Sequence, residues 1–93
     1  MLEVDLSYDL SPNYDMVAYG DWAKHSAGII KSQPGVVEFR GHRNLFGTPR
    51  IRTSSVWRGP EDWDKFTQST GWLLMEAELR SFASNLKVSL RAH

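Results

Sequence analysis

The chain of 93 residues contains no cysteine, which excludes a disulfide framework and any thiolate metal site. It carries no net charge, because eleven basic residues balance eleven acidic ones. Nothing in that balance draws it to a phosphate backbone or an anionic lipid surface. No stretch approaches the roughly 20 apolar residues that a membrane helix needs. The opening Leu2-Glu3-Val4-Asp5 lacks the basic and apolar regions of a signal peptide. The three histidines, His25, His42 and His93, share no HxH or HxxxH spacing, so no metal is expected. Glycine-rich phosphate loops and a serine in a nucleophile-elbow context are missing too, as are repeats, linkers and low-complexity segments. What remains is a soluble cytoplasmic protein forming one domain over residues 1–93, long enough to bury roughly two-thirds of its unfolded surface.

What the chain does have is pattern. Leu2, Val4, Leu6 and Tyr8 alternate with Glu3, Asp5, Ser7 and Asp9, a period of two that predicts a first strand with one apolar face. Ser11-Pro12-Asn13 breaks it. From Tyr14 the spacing becomes helical, with Tyr19, Trp22, Ala23, Ser26, Ile29 and Ile30 on one stripe. Pro34-Gly35 ends that helix. A second strand over residues 37–42 and a third from Arg50 to Trp57 flank the turn-rich Asn44-Leu45-Phe46-Gly47-Thr48-Pro49. Pro60 opens a second helix, with Glu61 and Asp62 suiting its N-terminus. Ser69-Thr70-Gly71 should interrupt that helix, and Asn85 should cap its end before a fourth strand over residues 86–91.

The order βαββαβ, with right-handed crossovers, gives an α+β ferredoxin-like fold: a four-stranded antiparallel sheet with both helices on one face. The helices should cover the side of Leu2/Val4/Leu6, Val37/Phe39 and Leu86/Val88/Leu90. The other side collects Glu3, Asp5, Ser7, Glu38, Arg40, His42, Arg52, Ser54, Val56, Lys87, Ser89 and Arg91, with Asp5 expected near Arg52 and Lys87. A solvated face explains that inventory. So does a homodimer in which two such faces meet as a barrel, and pairing would also protect exposed strand edges.

The run Val56-Trp57-Arg58-Gly59-Pro60-Glu61-Asp62-Trp63-Asp64-Lys65-Phe66 resembles the W-x-s-x-e-a-l-x-x-F stretch of the antibiotic-biosynthesis-monooxygenase-like family. Gln33-Pro34-Gly35-Val36-Val37-Glu38-Phe39-Arg40 is similar to that family's turn from first helix to second strand. The resemblance spans nearly the whole chain in element order and these two stretches in residues. It implies a dimeric α/β barrel with a pocket between sheet and helices in each subunit. It also implies a function among cofactor-independent oxygenases of polyketide- or quinone-type aromatics or haem-degrading enzymes. Members of the family often carry a histidine shortly after the serine of the second helix. Here Ser69-Thr70-Gly71 leads to Trp72, which argues against haem and for an apolar aromatic pocket with no cofactor.

The candidate residues follow. Trp57 closes the third strand and should point to the helices with Ser55 and Thr53, stacking on a flat ligand that Ser55 and Thr53 hydrogen-bond. Core filling is the competing reading. Trp22 and Trp72 would close the pocket from the helices, and Tyr8 would place a phenol at its rim. His25, beside Trp22, is the candidate general base, against the plainer reading of a surface histidine. His42 reads as an interface residue and His93 as a disordered terminus. Arg40, Arg43, Arg50, Arg52 and Arg58 gather near the central hairpin. RNA-binding sheets, however, show aromatics on the open face, whereas here they point to the helices, so no nucleic-acid partner is expected. Two functions remain: an oxygenase acting on a small planar aromatic, and a non-catalytic homodimer that binds a small ligand or serves structurally.

Overall fold

The computed structural model describes residues 1–43 and 50–93. The turn-rich connection over residues 44–49 and the side chains of His42 and Arg43 lie outside the described residues. Seven elements run in order: β1 (Leu2–Leu10), α1 (Met16–Lys31), β2 (Val36–Arg43), β3 (Arg50–Trp57), α2 (Pro60–Thr67), α3 (Thr70–Phe82) and β4 (Ala83–Ala92). The strands form one antiparallel sheet in the order β2-β3-β1-β4. The helices pack on one face of it, as the ferredoxin-like order predicts.

Local chemistry sets the element ends. Asp15 caps α1, its carboxylate accepting from the amides of Val17 and Ala18 at 3.0 Å. The expected break in the second helix is real and splits it into α2 and α3. Pro60 opens α2, and the Ser69 hydroxyl accepts from the Trp72 amide at 3.2 Å to start α3. Between α1 and β2 the chain turns on Gly35, at φ +89°, where a β-carbon would collide with the Asp62 carboxylate. That turn is pinned by Arg58, whose amide donates to the Gly35 carbonyl at 2.8 Å.

Two bulges correct the expected faces. β2 pairs Val36 with Trp57 and Glu38 with Val56, so Val37 is an extra residue. Val36 and Phe39 therefore pack on the core while Val37 is exposed. In β4 the register slips between Lys87 and Ser84. Asn85 sits there at φ +56°, its Nδ2 donating to Asp9 at 3.0 Å. Asn85 is thus a bulge residue inside a strand and not a helix cap. A short polar side chain tolerates the left-handed backbone that the bulge demands. The same edge strand carries a second correction. Leu86 packs inward, but Val88 and Leu90 are 45% and 54% exposed, because β4 forms the border of the sheet. At the other end of β4 the His93 amide donates to the Met1 carbonyl at 2.9 Å, extending the ladder to the terminus expected to be disordered.

The core has two parts. One gathers Val4, Ile30, Trp57, Trp63, Phe66, Trp72 and Met75. The other is built on Tyr8, Leu10, Ile51 and Leu79, with Tyr14, Tyr19, Trp22 and Phe82 packed against it. Edge-to-face ring pairs run through both clusters, such as Trp63–Trp72 at 5.3 Å and Tyr14–Tyr19 at 5.7 Å. Each pair contributes about 0.5–1.5 kcal/mol beyond its buried area.

Candidate ligand cavity

Where the two clusters would meet, the layer between sheet and helices is left unfilled. The cavity holds about 270 Å³. Period two supplies its floor: Leu6 and Tyr8 from β1, Ile51 and Thr53 from β3, Phe39 and Gly41 from β2. Helical spacing supplies its roof, with Tyr19, Trp22, Ala23, Ser26 and Ile30 on one stripe of α1 and Trp72, Met75, Glu76 and Leu79 on one stripe of α3. The gap exists because small residues stand where large ones would close it. A β-carbon on Gly41 would meet nothing within 4 Å, and Ala23 and Ala27 face the same space.

The walls are mainly apolar, and their few polar groups are specific. The hydroxyls of Tyr8 and Tyr19 lie 2.6 Å apart. Burial raises the Tyr8 pKa well above its ordinary value, and the hydrogen bond with Tyr19 adds to the shift, so Tyr8 stays a neutral phenol. The indole N–H of Trp22 is already used, donating to the Met75 carbonyl at 3.2 Å. Glu76 is the carboxylate of the wall, and it accepts from Arg80 at 2.8 Å. Ser26 is 4% exposed, and its hydroxyl has no hydrogen-bond partner. No Lys, Arg or His is among the described residues lining the cavity.

Of the residues singled out from sequence, the cavity brings together Tyr8, Trp22, Thr53 and Trp72. Trp57, Ser55 and His25 do not line it. Trp57 is fully buried, stacked on Phe66 at 5.6 Å and edge-on to Trp63 at 5.5 Å. Its Nε1 donates to the Ser55 hydroxyl at 2.9 Å, and Ser55 in turn donates to the Val4 carbonyl at 3.4 Å. The polar capacity of Trp57 and Ser55 is thereby spent inside the core. His25 is exposed on α1 beside a separate hollow of about 80 Å³. Sequence reasoning placed Tyr19 and Ser26 on the right stripe without giving them a role, and it did not consider Glu76 or Met75. Helical spacing from Trp72 to Leu79 was the available signal.

The opposite face of the sheet is ionic. Arg91 bridges Glu3 and Asp5, the latter at 2.7 Å, and the hydrogen bond it donates to Glu3, followed by the Asp5 charge, raises its pKa. Asp5 therefore pairs with Arg91 and not with Arg52 or Lys87, because the register sets Ser7 opposite both of those. Arg40 pairs with Glu38. Val56 is 5% exposed although it sits on this face, flanked by Glu3 and Glu38 across the ladder. A hollow of about 360 Å³ lies over Val56 and Ser54, ringed by Glu3, Glu38, Arg40, Arg52 and Arg91.

No protein-family model matches the chain, and no curated protein matches it in sequence. Solved structures do match it in shape. SnoaB, a cofactor-independent oxygenase from Streptomyces nogalater, superimposes at a TM-score of 0.85 over 99% of this chain and 91% of its own, with 14% identity. A proposed antibiotic biosynthesis monooxygenase from Deinococcus radiodurans reaches 0.88 over 100% and 92%, with 12% identity. A further one from Nitrosomonas europaea gives 0.85 over 100% and 98%, with 10% identity. The fold is that of the antibiotic-biosynthesis-monooxygenase-like structures. Within this monooxygenase-like fold, identities of 10–14% fix the path of the backbone and leave the chemistry to the side chains above. Among the described residues no helix is long and apolar enough to cross a membrane, and no three of His, Asp and Glu come together as a metal site would need.

Proposed function

We propose that the protein is a cofactor-independent oxygenase acting on a small planar aromatic or quinone-type molecule held in the cavity between sheet and helices. The observation carrying this reading is the 270 Å³ apolar space walled by Tyr8, Tyr19, Trp22 and Trp72, in a fold shared with a cofactor-independent oxygenase. The volume suits roughly two or three fused rings, near the lower end for small-molecule sites.

In such a reaction the substrate supplies the electrons. An activated CH₂ loses a proton, the carbanion delocalises into the ring, and oxygen takes up its electrons. The resulting hydroperoxide releases water and leaves a ketone, so CH₂ plus O₂ gives C=O plus H₂O. The chain has little to do beyond positioning, excluding water and accepting the proton. Glu76 is the carboxylate of the wall placed for that last role. The non-catalytic reading draws support from the same residue, since Arg80 already engages Glu76. Oxygen-electrode measurements with hydroxylated and keto aromatics, aerobic against anaerobic, test the proposal. We expect oxygen uptake that Glu76→Gln abolishes while ligand binding persists. Tight binding with no uptake above background for any bound aromatic would leave the binding-protein reading standing.

The same reading includes a homodimer formed through the ionic sheet face. Its support is the hollow over Val56, ringed by side chains of both signs on which a second copy could set its own. Sedimentation equilibrium should return twice the monomer mass, and Ser54→Arg, which fills the hollow, should return the monomer. A wild-type protein that stays monomeric at micromolar concentration refutes this part.

A further inference from the structure

The cavity floor has one open row. Leu6 pairs with Thr53, and Thr53 pairs with Gly41, so these three residues cross the floor from β1 to β2, an edge strand of the sheet. The row on one side begins with Val4 and Ser55 and the row on the other with Tyr8 and Ile51, all four buried. Leu6 and Thr53 are only half-buried, although they lie in the two central strands, and Gly41 is exposed. Side-chain bulk falls in the same direction, to nothing at Gly41. Above that end α1 sets Ala23 and Ala27, both half-buried. At the other side β4 and the helix packed on it, α3, supply the larger Leu86, Glu76 and Leu79.

The backbone does not require glycine at this position. Among the described glycines only Gly35 has a left-handed φ, and glycine inside a strand ordinarily weakens it. A β-carbon on Gly41 would meet nothing within 4 Å among the described residues. A larger side chain would therefore suit the fold and occupy the cavity. We propose that Gly41 is the specificity-determining residue of the cavity, leaving an entrance between α1 and β2 through which a flat ligand slides in along this row. This rests on reading the cavity as a ligand site. Two strand spacings of about 4.8 Å make the row roughly 10 Å long, enough for fused rings lying with their long axis across the strands. The leading end of such a ligand points toward β4 and Glu76.

Stopped-flow quenching of tryptophan fluorescence tests this on the full chain, because Trp22 and Trp72 border the cavity. The probes are 1,4-naphthoquinone and the single-ring 2,6-dimethyl-1,4-benzoquinone, and the chain has no thiol for either to attack. Substitutions in a binding site ordinarily act on dissociation, so a slowed association marks an entrance. Gly41→Val should lower both the association rate and the affinity for naphthoquinone at least about tenfold. The single-ring quinone should change less than about threefold, and Gly41→Ala should fall between wild type and Gly41→Val. Gly41→Val should also melt no lower than wild type, since valine favours a strand; a lower Tm would assign the glycine to the fold and overturn the inference. So would a wild-type association rate in Gly41→Val, or equal weakening of the two quinones. Failure of the wild type to bind either quinone overturns the ligand-cavity reading together with this one. Bound naphthoquinone without oxygen uptake bears on the oxygenase reading alone and leaves the role of Gly41 intact.

Discussion

Trp57→Phe separates a core residue from a ligand contact. Trp57 is 0% exposed, enclosed by Trp63 and Phe66, and its Nε1 is held by Ser55 at 2.9 Å. Removing the second ring deletes roughly 40 Å³ of side chain, worth about 1 kcal/mol at ~24 cal/mol per Å³ of residual cavity. Loss of the hydrogen bond to Ser55 adds about 1 kcal/mol. The Ser55 hydroxyl keeps its own acceptor in the Val4 carbonyl, which limits the damage. For a domain of this size 1 kcal/mol corresponds to a Tm change of about 4–8 °C, so the variant should melt about 8–16 °C lower. Circular dichroism melts measure that shift, and calorimetric titration with 1-naphthol measures binding. Because the cavity wall excludes Trp57, the affinity at a temperature where the variant is folded should stay within about twofold of wild type. A Tm within about 2 °C of wild type, or a tenfold loss of affinity in the folded variant, would refute this account. The loss of affinity would put the indole against the ligand, as the strand-end position alone suggested.

Three further outcomes follow from local geometry. Gly35→Ala should cost at least the ~1–2 kcal/mol of placing a β-carbon in the left-handed region, plus the overlap with Asp62. Asp62→Ala should relieve only the second part, which a double-mutant cycle in urea reads as favourable coupling. Asn85→Ala should cost about 1–2 kcal/mol for the same backbone reason, while Asn85→Gly, free of it, should cost less; equal losses would show that φ at the bulge does not matter. For Tyr8 the sign is set by its raised pKa: the folded chain keeps a proton that the unfolded chain releases near the ordinary value of 10.0. Its contribution is therefore complete below pH 10 and declines as the pH rises above it. The urea midpoint should fall above pH 10 in the wild type and less steeply in Tyr8→Phe, and parallel slopes would contradict it.

Much of the architecture was present in one dimension. Period two in Leu2–Asp9 and helical spacing from Tyr19 to Ile30 assign faces to residues before any folding, because backbone geometry alone decides which side chains share a side. Pro34-Gly35, Pro60 and Ser69 end or start elements for local reasons of φ, ring closure and capping. The same periodicity put Tyr8, Trp22, Thr53 and Trp72 on faces turned toward one another, and those four line the cavity.

Depth and partnership could not be read that way. Period assigns a side but not a neighbour, so nothing local distinguished Trp57, sealed against Phe66 with its N–H spent on Ser55, from Trp22 and Trp72, which border open space. One added residue in β2 and one in β4 changed which side chains point inward, and a bulge arises from pairing between strands distant in sequence. The location of the cavity and the apolar character of the described residues lining it depend on contacts between elements distant in sequence. Local sequence decided the layers and their order; only the packing of those layers decided which gap stayed empty and what it can hold.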